Sequence, residues 1–98
     1  MDKPWVVRLE VARDDDGALS DEAIAALTQQ LAERHAKPAV TRGDSGTVVV
    51  QLAVEARDDR AARSAAEQIL RDGANTVWSE FGLPPFTIAF VDATEASG

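Results

Sequence analysis

From Gly46 to Ala56 the chain alternates without a break. Val48, Val50, Leu52, Val54 and Ala56 are all apolar, and Thr47, Val49, Gln51, Ala53 and Glu55 between them are mixed. Successive side chains of a strand point to opposite faces, so this pattern describes one face in a core and one facing outward. A strand of this kind needs paired neighbours and a covering layer, and the remaining elements are read as packing around it.

The rest of the chain supplies them. Trp5 to Ala12 repeats the alternation, with Trp5, Val7, Leu9 and Val11 on one side and Val6, Arg8, Glu10 and Ala12 on the other. Pro4 opens this strand, where its missing N–H is tolerated. After the polar turn Arg13 to Gly17, Ser20 or Asp21 caps a helix running to about Ala36, with Ala23, Ile24, Leu27 and Leu31 as its apolar stripe. Pro38 stops that helix and starts a short strand, Ala39 to Arg42, joined through Gly43–Gly46 to the central strand.

Asp58 or Asp59 caps a second helix whose stripe is Ala62, Ala65, Ala66, Ile69, Leu70, Val77 and Phe81. Gly73 falls on the same stripe, which continues in register beyond it, so one long helix is expected, ended by Gly82. Phe86, Ile88 and Phe90 then alternate with Thr87, Ala89 and Val91 in a last strand. Residues 1–92 are expected to form one domain and 93–98 a frayed tail.

The order strand, helix, strand, strand, helix, strand is the split βαβ, or ferredoxin-like, pattern. The expected fold is α+β: a four-stranded antiparallel sheet in the order 4-1-3-2 with both helices on one face. The other face is left uncovered, and on this register it carries Val6, Arg8, Glu10, Val49, Gln51, Ala53, Ala89 and Val91. A merely solvated face would be more polar, so these residues are the candidate interface or ligand-facing surface.

Charge and composition exclude several classes. Ten basic against 17 acidic residues give a net charge of −7, the wrong sign for neutralising phosphates. The central strands offer Arg8, Glu10, Val49 and Gln51 where an RNA-binding sheet needs stacking aromatics, so no nucleic-acid partner is expected. There is no cysteine and no apolar run long enough to span a bilayer. The expectation is therefore a cytoplasmic protein that neither crosses a membrane nor carries a disulfide framework.

Catalytic and metal signals are weak. His35 is the single histidine; near a helix C-terminus, one turn after Leu31, it reads as a packing residue. Asp14, Asp15 and Asp16 are consecutive, whereas a calcium loop needs alternating oxygen ligands. Trp5 and Trp78 read as core or edge residues. No catalytic residue, metal or cofactor is assigned.

The segment Asp14-Asp15-Asp16-Gly17-Ala18-Leu19 resembles the Asp-x-x-Gly-x-Leu turn of ACT domains, ferredoxin-like regulatory modules that bind amino acids. Asp16 stands where that family often has proline. The resemblance implies an effector site lined by Asp14, Gly17 and Leu19, and a small-molecule ligand.

The leading expectation is a non-catalytic module that self-associates, as a homodimer, or binds a protein partner through its open sheet face. An ACT-like amino-acid-sensing domain is the second. The third is a dimeric α+β-barrel enzyme working without a metal, by fold analogy alone.

Overall fold

The structure, a computed structural model, describes residues 2–13, 19–34, 37–43, 47–82 and 86–96. It is an α+β arrangement of β1 (Lys3–Arg13), α1 (Asp21–Glu33), β2 (Ala39–Arg42), β3 (Val48–Ala56), α2 (Asp59–Phe81) and β4 (Phe86–Glu95). All strand pairs are antiparallel and the order is β2-β3-β1-β4, the expected order read from the other edge.

The two alternating runs place the core. Trp5↔Val54, Val7↔Leu52, Leu9↔Val50 and Val11↔Val48 are cross-strand partners, and all eight side chains are buried. Partners across a ladder point to the same face, so the two apolar sets merge into one floor. Both helices lie on that floor: Ala23, Leu27 and Leu31 of α1 and Ala62, Ala66, Leu70, Ala74, Val77 and Trp78 of α2 belong to the same buried cluster. Burying one such Leu or Val side chain contributes roughly 1.5–3 kcal/mol. The indole of Trp5 closes one end, its Nε1–H donating to the Ala56 carbonyl at 2.9 Å.

Side chains start both helices. The Ser20 hydroxyl accepts from the Ala23 N–H at 3.1 Å and the Asp58 carboxylate from the Ala61 N–H at 2.8 Å, each satisfying an N–H that lacks an intrahelical partner. Helix α1 ends at Glu33 with Arg34 as its C-cap, before the expected Ala36. Lys37, the residue before Pro38, has a positive φ of 45°; proline disfavours helical geometry in its predecessor.

Helix α2 is continuous through Gly73 and ends on Gly82 at φ 61°, the left-handed cap glycine adopts at no steric cost. Gly73 lies where the helices meet: a Cβ there would stand 3.0 Å from Leu31 Cδ2 and 3.6 Å from Gln30 Cβ. The glycine therefore permits a close approach to α1. Trp78 takes the place on the core expected of Phe81. It is 7% exposed, with its ring 4.9 Å from that of Phe86, whereas Phe81 is 38% exposed.

Two expectations about the last strand need correction. Residues 93–95 are strand rather than tail, and the Ala96 N–H donates to the Pro4 carbonyl at 3.0 Å. The alternation of β4 also breaks. Glu10 pairs with Phe90 and the next residue, Val11, with Ile88, leaving Ala89 as an extra residue in a β-bulge.

Candidate functional site

The bulge decides what the uncovered sheet face presents. An extra residue advances the two-residue period by one, so every side chain beyond it changes face. Phe86, Ile88, Val91 and Ala93 all pack against the core, while Asp92 and Thr94 lie opposite Arg8 and Val6. Val91, expected on the open face, is thus a core contact. Phe90, expected in the core, is 48% exposed and pairs with Glu10.

The open face can be read in rows across the strands. One row is Ala53, Val6 and Thr94; the next is Ala39, Gln51, Arg8 and Asp92; the third is Thr41, Val49, Glu10 and Phe90. Six of the eight candidates, Val6, Arg8, Glu10, Val49, Gln51 and Ala53, are brought together here on the two central strands. Ala89 is exposed at the bulge. Val6 is 38% exposed, and with Phe90 it is one of three exposed large apolar side chains among the described residues; the third, Phe81, is on α2.

Charge occupies the middle of this face. Arg8 Nη2 lies 3.9 Å from Glu10 Oε1, two residues along the same strand, and Asp92 is its cross-strand neighbour on β4. Both ends of the Arg8–Glu10 pair are more than one-third exposed, so the pair itself contributes only about 0.2–1 kcal/mol. The arrangement sets one cation beside two anions, flanked by Val6 on one side and Val49 and Phe90 on the other.

The other candidate residues do not join this surface. Leu19 is 3% exposed and part of the core; its carbonyl accepts from Arg42 Nη1 at 2.7 Å, and Arg42 Nη2 also bonds the Asp21 carboxylate. The Leu19 side chain therefore packs in the core of the fold. Asp14, Gly17 and His35 lie outside the described residues. Among the described residues no three His, Cys, Asp or Glu side chains are grouped to hold a metal ion, and no helix is long and apolar enough to cross a membrane.

Phe90 was missed by simple alternation, although the sequence carried a signal. Phe90 and Val91 are adjacent apolar residues, after which the polar Asp92 and Thr94 sit in the phase that Phe86 and Ile88 occupied. A phase change between two such halves marks a bulge. Comparison with known proteins finds no matching family model, no matching curated protein and no matching solved structure.

Proposed function

We propose that this chain is a non-catalytic, ferredoxin-like module that self-associates through its open sheet face, with Phe90 as the aromatic anchor. The βαββαβ order and the strand order support the fold reading. The single observation that carries the functional one is the bulge at Ala89, which turns a phenyl ring outward onto a face already holding Val6 and Val49. Buried aromatic anchors dominate the energetics of protein interfaces.

A second copy suits this surface for two reasons. A two-fold interface brings the same patch against itself, so Arg8 of one copy can meet Glu10 and Asp92 of the other while the reverse contact also forms. The face also approaches the size of an interface. Four strands about 4.8 Å apart and an 11-residue β1 give roughly 14 Å by 36 Å in projection. That supplies most of the roughly 800 Å² per partner of a standard interface.

The amino-acid-sensing reading rests on a turn whose residues 14–18 lie outside the described ones. The barrel-enzyme reading rests on a cavity that two sheets would have to enclose between them. Self-association is tested by solution mass, measured by light scattering over a concentration series. The wild type and Phe81→Glu, which alters an exposed phenylalanine away from the sheet, are expected to be dimers. Phe90→Glu and Val49→Glu are expected to be folded monomers. A monomeric wild type at every concentration, or a Phe90→Glu dimer as tight as wild type, refutes the proposal.

A further inference from the structure

A second surface, which borders the open face at Ala53, is formed where β2 stops short. β2 has four residues and β3 nine, and their ladder ends at Ala39↔Gln51. The Gly43 N–H donates to the Thr47 carbonyl at 2.9 Å. This sets the odd-numbered residues of β3 as those whose N–H and C=O point toward β2, since these groups alternate along an antiparallel strand. Beyond Gln51, the backbone groups of Ala53 and Glu55 therefore point out of the sheet edge, and no described strand pairs with them.

A cleft of about 450 Å³ lies against this edge. Val54, Ala65 and Ile69 give it an apolar wall, and Arg34 and Lys37 line it as well. Among the described lining residues, two cations against the one carboxylate of Glu55 reverse, locally, the −7 charge of the chain. Arg34 Nη1 is held by the Gln30 carbonyl at 2.8 Å and by Gln30 Oε1 at 3.2 Å, which leaves Nη2 and Nε as further donors. Lys37 holds its place with φ 45°, a conformation disfavoured for any residue with a Cβ and of a kind that gathers at ligand sites.

We infer that this cleft is the docking site of an acidic peptide segment that adds to the free end of β3 as a short extended strand. Backbone donors and acceptors two residues apart match the repeat of a strand, the Val54–Ala65–Ile69 wall takes one apolar side chain, and Arg34 and Lys37 take the flanking acids. Main-chain bonds then give affinity and the pocket gives specificity.

The test is an NMR titration of the ¹⁵N-labelled chain with a capped hexapeptide of alternating glutamate and valine. The expected result is a set of amide shifts centred on Ala53 and Glu55. Methylating the peptide's backbone nitrogens should weaken binding about tenfold, by removing its main-chain donors, and replacing its glutamates by lysines should abolish it. Lys37→Gly should weaken binding roughly threefold to fivefold without lowering the melting temperature, because glycine accepts a positive φ; a merely structural Lys37 would leave affinity unchanged. No shifts at millimolar peptide, shifts centred elsewhere, or equal binding of the methylated peptide would overturn the inference. So would isovalerate binding as tightly as the peptide, which would make the cleft a small-carboxylate site.

Discussion

Replacing Gly73 by alanine sets two well-defined effects against each other. Alanine is favoured over glycine in a helix interior by about 1 kcal/mol, and Gly73 is interior to a 23-residue helix. The new Cβ, however, would stand 3.0 Å from Leu31 Cδ2, where carbon atoms prefer about 3.5–4.0 Å. Leu31 is fully buried and must yield by a few tenths of an ångström; overpacking of that kind costs about 1–3 kcal/mol. The balance is a net loss of about 1 kcal/mol, or a fall of about 4–8 °C in melting temperature for a domain of this size.

Urea unfolding followed by far-ultraviolet circular dichroism measures the effect, and Leu31→Ala supplies the control. With the Leu31 methyls gone, Gly73→Ala should become stabilising, a coupling of more than about 1 kcal/mol between two residues in contact. If Gly73→Ala alone stabilises the wild type by the full propensity term, α1 and α2 do not cross closely at Gly73.

Three further substitutions probe other parts of the fold. Trp5→Phe loses the bond to the Ala56 carbonyl, whereas Trp78→Phe removes a buried Nε1–H that has no partner among the described residues; chemical denaturation should find the first costlier by about 1–2 kcal/mol. Gly82→Ala forces a Cβ into a left-handed cap at φ 61° and should cost about 1–2 kcal/mol by the same measurement. Asp58→Ala removes the α2 cap and should cost about 0.5–2 kcal/mol, with hydrogen exchange accelerating first at the Ala61 amide.

What the sequence revealed and what it hid follow from how local each signal is. The alternation of Trp5–Val11 and Val48–Ala56 is local, and it gave both central strands, their shared core face and hence the strand order. Ser20, Asp58 and Gly82 are local signals too, and each sits at the helix end where its chemistry is useful. Leu19 looked like part of a ligand turn, but its burial depends on helices and sheet meeting above it. The bulge needed a comparison of phase between the two halves of β4. The edge cleft was illegible for a stronger reason: it exists only because α1, β3 and α2 bring Arg34, Val54 and Ile69 together beside a β2 that begins only at Ala39.

Self-association through the sheet face is tested most sharply by locating the contacts between copies instead of counting copies. A mixed sample of isotope-labelled and unlabelled chains, at a concentration where the mass is dimeric, permits isotope-filtered nuclear Overhauser spectra that report only intermolecular contacts. Cross-peaks are expected from the Phe90 ring of one copy to the Val6 or Val49 methyls of the other. Intermolecular cross-peaks confined to α2, with none from Phe90, would contradict self-association through the sheet face.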